Sequence, residues 1–133
     1  MIVIDASSLA KYILREENWR EVRDHLLNAY SNTLALAEVS NTIWKHQILH
    51  EAVSRKEAEV MFSALKRLRE DVVLFEPFEK YLEYAFEISM NLKITFYDAI
   101  YLAQAKKHGE LLTSDEKQRR AAEKMGVKVK YVE

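Results

Sequence analysis

Residues 95–105 read TFYDAIYLAQA. Phe96, Tyr97, Ala99, Ile100, Tyr101, Leu102, Ala103 and Ala105 surround Asp98 on every side of a helical wheel. A helix that is apolar all round belongs in a core. A carboxylate carried into such surroundings is costly unless a hydrogen-bond donor, a cation or a metal meets it. The stretch therefore predicts a buried helix that brings Asp98 to a partner.

Outward from this helix, strand and helix signals alternate. MIVID (1–5) reads as a short buried strand. In SSLAKYILREE (7–17), Leu9, Tyr12 and Ile13 share a helical stripe that Ser7 or Ser8 can cap. Trp19, Val22, Leu26 and Leu27 predict an amphipathic helix over 19–30. TLALA (33–37) predicts a strand, and EVSNTIWKHQILH (38–50) a helix. Ser54 and Glu57 form a capping-box pattern before a helix ending near Arg69. VVLFE (72–76) reads as a strand, and Pro77 suits the first position of the next helix. Gly109 stops the helix of Asp98. ELLTSDEK (110–117) then predicts a brief strand and a helix, and VKVKYV (127–132) a last strand. Alternation of this kind predicts an α/β fold with a central, mostly parallel sheet of about five short strands and helices on both faces.

The 133 residues fit one domain, 1–133, with no repeat or linker. Cysteine is absent, which excludes disulfides, thiolate zinc sites and a cysteine nucleophile. MIVIDASS lacks a basic segment before an apolar run, and no run approaches the roughly 18 apolar residues of a membrane span. A soluble, cytoplasmic protein with no membrane contact is expected. A net charge of −1 excludes a globally basic nucleic-acid binder, though not a local basic patch.

Parallel sheets bind ligands beyond the carboxyl ends of their strands, where strand order reverses. Four acids share that kind of address: Asp5 ends MIVID, Glu38 follows TLALA, Asp98 lies in the first turn of its helix, and Asp115 follows LLTS. If the edges converge, these charges repel unless a cation sits among them. An all-oxygen donor set suits Mg²⁺ or Mn²⁺, and such a site serves phosphodiester hydrolysis. Each acid alone has an ordinary explanation. Thr95 with Asp98 and Thr113 with Glu116 are possible capping boxes, Asp5 can cap a helix, and Glu38 can be a surface acid. Their joint placement favours the site.

IVIDASSLAKY, LALAEVSNTIWK, TFYDAIYLAQAKKHG and LLTSDEKQRRAAEKMGVKV resemble, in this order, the successive motifs of PIN-domain nucleases. Their short form is closest to the VapC-type toxins of toxin–antitoxin pairs, and residues 50–90 carry least of the likeness. The resemblance implies a PIN-like three-layer fold. It places Asp5, Glu38 and Asp98 on the core metal-binding trio and Asp115 on a more variable fourth acid, with Ser7, Asn41, Thr113 and Ser114 as small polar neighbours. It further implies a Mg²⁺- or Mn²⁺-dependent endoribonuclease, often a homodimer, held in check by a cognate antitoxin protein. Setting the four acids aside leaves a basic surplus of three. Lys11, Lys45, Lys117, Arg119 and Arg120 are the candidate phosphate contacts.

Other readings fit less well. A HAD-type phosphotransferase wants a second acid two residues after Asp5, where Ser7 stands. A receiver domain wants paired acids near its first strand and a phospho-acceptor ending a middle strand, where VVLFEP offers Glu76. His46 and His50 are spaced for a zinc pair but lack the glutamate of HExxH, and His25 and His108 have no visible partner motif. Tyr12, Trp19, Trp44, Phe62, Tyr81, Tyr84 and Phe86 would suit a non-catalytic binding module, although helical spacing assigns most of them to the core. A housekeeping RNA-processing nuclease is the remaining alternative.

Overall fold

The computed structural model describes residues 1–133. Its elements run β1 (Ile2–Ile4), α1 (Ala6–Ile13), α2 (Trp19–Arg23), β2 (Tyr30–Asn32), α3 (Thr33–Trp44), α4 (Arg55–Arg67), β3 (Leu74–Glu76), α5 (Leu82–Leu92), α6 (Phe96–His108), β4 (Glu110–Thr113), α7 (Glu116–Lys124) and β5 (Lys128–Tyr131). Single π-helical turns extend α3 over Lys45–Leu49 and α4 over Leu68–Val72, and a 3₁₀ turn, Phe78–Tyr81, leads into α5. The sheet order is β3-β2-β1-β4-β5 and every pairing is parallel.

Burial on both faces explains why the inner strands β1 and β4 read as apolar runs. One apolar cluster joins Ile4 and Leu112 to Leu9, Ile13, Val39, Ile43 and Leu65 of α1, α3 and α4. The other joins Val3 and Leu111 to Ala85 and Ile88 of α5, Ile100, Leu102 and Ala103 of α6, and Ala122 of α7. The chain steps outward from β1 through β2 to β3, then crosses to the opposite side of β1 and lays down β4 and β5. Strand order thus reverses between β1 and β4, where Ile2, Val3 and Ile4 pair with Glu110, Leu111 and Leu112. Asp5 follows directly, its N–H donating to the Leu112 carbonyl at 3.2 Å.

Several expectations are corrected. TLALA is helical, and the strand lies just before it. The Asn32 side chain accepts from the Leu34 N–H at 3.0 Å and starts α3, which suits the helix-forming Leu and Ala that follow. The helix expected over 19–30 is confined to Trp19–Arg23. Pro77 precedes the 3₁₀ turn instead of opening a helix. Trp44, Phe62, Tyr84 and Phe86 are exposed, so fewer of the aromatics are core than their spacing suggests. His108, which lacked a partner in sequence, stacks on Tyr30 at 4.0 Å between ring centroids. The capping box of Ser54 and Glu57 is present in both directions, and Gly109 ends α6 at φ 109°.

Helix α6 is tied to the sheet by a buried polar chain. Gln104 accepts from Asn32 Nδ2 at 2.9 Å and donates to the Ser31 carbonyl at 2.6 Å and to Glu76 Oε1 at 2.9 Å. Glu76 also receives Tyr81 Oη at 2.6 Å, His108 Nε2 at 2.9 Å and Lys80 Nζ at 2.9 Å. Burial alone would raise the Glu76 carboxyl, but its four donors outweigh that and hold it at about 2, against an ordinary 4.5. A lowered acid contributes stability above its unfolded pKa and loses it as pH falls through the folded one. Glu76→Gln should therefore cost about 2 kcal/mol in urea unfolding at neutral pH, with the difference from wild type shrinking below 4.5 and vanishing near 2. A pH-independent difference would contradict this.

Candidate active site

Asp5 stands where strand order reverses, and it is only 4% exposed. Both of its carboxylate oxygens accept hydrogen bonds. Oδ1 accepts from Ser7 Oγ at 2.6 Å and from the Ser8 N–H at 3.2 Å, which makes Asp5 the N-cap of α1. Oδ2 accepts from Thr113 Oγ1 at 2.5 Å. Neither Ser7 nor Ser8 caps the helix, contrary to the sequence reading. Ser7 Oγ instead holds Asp5 and accepts the Ser114 N–H at 2.9 Å, while Ser8 Oγ meets Ser114 Oγ at 2.8 Å. These contacts tie the ends of β1 and β4 together. Burial raises the Asp5 carboxyl to about 6 against the pull of Ser7, Thr113 and Ser8, and the charge of Asp115 adds to the rise.

Glu38 does not follow a strand; it lies within α3, on the first helical layer. Asp98 approaches from α6 in the other layer, where Thr95 accepts its N–H at 3.2 Å. Burial raises both carboxyls above their ordinary values. The Tyr101 hydroxyl lowers Glu38 and the charge of Asp98 raises it. Asp98 is lowered by Thr95, raised by the charge of Asp115 and lowered by Lys117. The charge of Asp115 thus reaches Asp5 and Asp98, and that of Asp98 reaches Glu38.

Asp115 is exposed and caps α7 by accepting the Lys117 N–H at 2.9 Å. The expected box of Thr113 with Glu116 does not form, because Asp115 is the N-cap of α7 and Glu116 its first helical residue. A polar groove of about 440 Å³ runs along α1 and α3, and Ser7, Lys11, Glu38, Asn41, Lys45 and Ser114 line it. Lys117 lies close enough to act on Asp98. Arg119 and Arg120 are instead paired with Glu116 at 2.8 Å and 3.4 Å. His46 and His50 meet edge-to-face at 5.8 Å on the π-helical turn, with His46 Nδ1 at 3.0 Å from the Thr42 carbonyl.

The PIN domain family matches residues 2–124. The chain is 33% identical to Ribonuclease VapC3 of Pyrobaculum aerophilum over 130 residues, which cover 92% of this chain and 93% of that protein. The chain belongs to the PIN-domain family. Its fold is similar to that of PAE2754 from Pyrobaculum aerophilum, with a TM-score of 0.66 and 23% identity over 93% of this chain and 90% of that one. It is likewise similar to FitAB bound to an IR36 DNA fragment, with a TM-score of 0.63 and 21% identity over 98% of this chain and 94% of that one.

In this PIN domain no three acidic or histidine side chains form a ready-made metal cage. The donor set still fits a hard dication. All four groups are carboxylates, burial and mutual repulsion keep three of them raised, and Mg²⁺ characteristically binds through one or two carboxylates while keeping several waters. Two side chains that support the acids had no sequence signal. The Tyr101 hydroxyl donates to Glu38 Oε1 at 2.5 Å, and Gln118 Nε2 donates to the Asp98 carbonyl at 2.9 Å. Tyr101 sat in an apolar stripe and Gln118 on a charged helix.

A carboxyl raised in the folded state stabilises the fold when protonated. The contribution of Asp5 is complete below 3.8 and is lost as pH rises through about 6. In EDTA, Asp5→Asn should match wild type near pH 4 and exceed it by about 2 kcal/mol near pH 8, read by urea unfolding. Equal stability near pH 8 would contradict a buried, ionised Asp5.

Proposed function

We propose that this PIN domain, residues 1–133, is a metal-dependent endoribonuclease and the toxin of a VapBC-type toxin–antitoxin pair. What supports the reading is that Asp5 follows β1 where strand order reverses, that the charge of Asp115 acts on Asp5 and Asp98, and that the charge of Asp98 acts on Glu38. The similarity to a protein named Ribonuclease VapC3 supports RNA as substrate and the VapC type.

Asp5, Glu38, Asp98 and Asp115 would hold Mg²⁺ or Mn²⁺, directly or through water. Such an ion supplies water activation and stabilises the leaving oxygen of a phosphodiester. Ser7 and Thr113 hold Asp5 in place. Lys11 and Lys45 flank the groove and offset its negative charge, so that a phosphate can approach. Asn41 and Ser114 offer neutral hydrogen bonds along the same groove. Lys117 screens Asp98, and Arg119 and Arg120 extend the basic surface beyond it.

Association fits the remaining surface. Leu82, Phe86 and Met90 recur every four residues along α5 and are exposed, and Trp44, Ile48 and Leu49 are exposed at the end of α3. These apolar groups serve contacts with a second copy of the chain and with a cognate antitoxin. No helix is long and apolar enough to cross a membrane, and the protein acts in the cytoplasm.

Cleavage of single-stranded RNA in Mg²⁺ or Mn²⁺ should fall at least a hundredfold in Asp98→Asn, about 2.7 kcal/mol of barrier, and disappear in EDTA. Undiminished cutting by the variant, or in EDTA, would remove this function.

A further inference from the structure

Tyr97 departs from the burial that its apolar surroundings predict. Every residue of α6 from Ala99 to Ala105 is buried, whereas Tyr97, in the first turn of the same helix, is 59% exposed. Its ring stays unstacked within the chain. The aromatic pairs of the protein are Tyr12 with Trp19, Tyr30 with His108 and His46 with His50.

Helix geometry sets the direction of the ring. Tyr97 precedes Tyr101 by four residues and Asp98 precedes it by three, so all three side chains share one face of α6. The Tyr101 hydroxyl shows where that face points, because it donates to Glu38 Oε1 on α3. Cα–Cβ bonds tilt toward the N-terminus of a helix. Tyr97, one turn nearer that terminus than Tyr101, therefore leans outward beside Asp98, the acid on which Asp115 and Lys117 also act. A phosphate brought to these acids places the base of its own nucleotide or of the next beside an open aromatic face. Every base has a π-face, and stacking on aromatic side chains is how proteins commonly hold unpaired bases.

We propose that Tyr97 is a base-stacking residue of this nuclease, with an unpaired nucleobase next to the scissile phosphate lying on its exposed ring. The proposal rests on the ribonuclease reading above and adds a contact to the base, where Lys11 and Lys45 meet only the backbone.

The test is binding of fluorescein-labelled oligoadenylate to the full chain in EDTA, read by fluorescence anisotropy, beside a ribose-phosphate chain of equal length without bases. The probes carry the same charge, so the difference between them reports contacts with bases. Wild type should bind oligoadenylate about tenfold more tightly, the worth of one stacked base. Tyr97→Ala should remove most of that preference while leaving the abasic chain unaffected, and Tyr97→Phe, which keeps the ring, should retain it. Tyr97 is exposed, so neither variant should disturb the fold. Wild type binding the two probes alike overturns the proposal, as does a Tyr97→Ala that keeps the preference or weakens both probes equally. A change of mass in Tyr97→Ala, read by light scattering, also overturns it, because the ring would then serve contact with a second copy. Each of these results leaves the nuclease reading standing, provided that Mg²⁺-dependent cleavage still falls in Asp98→Asn. If that cleavage does not fall, the two readings are lost together.

Discussion

The structure depends on a carboxylate buried where the strand order of a parallel sheet reverses. Asp5 is nearly sealed from water, yet hydroxyls from Ser7 and Thr113 and one backbone N–H surround it. Those donors join α1, β1 and β4 at one point. Their combined pull does not offset burial, so the carboxyl remains raised. The site is therefore held together by contacts that leave it short of positive charge, which is the condition for binding a cation.

Both layers are needed to complete it. Glu38 comes from the helices over one face of the sheet and Asp98 from those over the other. Their relative placement depends on how firmly α6 sits across the sheet. Gln104 and Glu76 fix its far half to β2 and β3, Gln118 fixes its first turn to α7, and Tyr101 spans to α3. An all-apolar helix could slide along its neighbours; these directional contacts specify one position.

Much of this was legible in the sequence because burial leaves plain marks. MIVID and ELLT are apolar on both faces, as inner parallel strands must be, and Asp98 stands out against its apolar neighbours. Chain alternation sufficed to place Asp5 and Asp115 just after strands and Asp98 in the first turn of its helix. Glu38 was reached by a wrong route, since the apolar residues before it belong to a helix that Asn32 caps. The strand YSN has no apolar signature, because Ser31 and Asn32 are buried through hydrogen bonds. Tyr101, Gln104 and Gln118 could not be found in advance. Their partners are distant in the chain, and residue type alone does not distinguish a tyrosine that packs from one that holds a carboxylate.

The most direct measurement is anomalous diffraction from crystals of the protein grown with Mn²⁺. The account predicts one dominant manganese peak among Asp5, Glu38 and Asp98, within direct or single-water reach of their carboxylates. Manganese found only at other surface positions, or none at millimolar concentration, would contradict it.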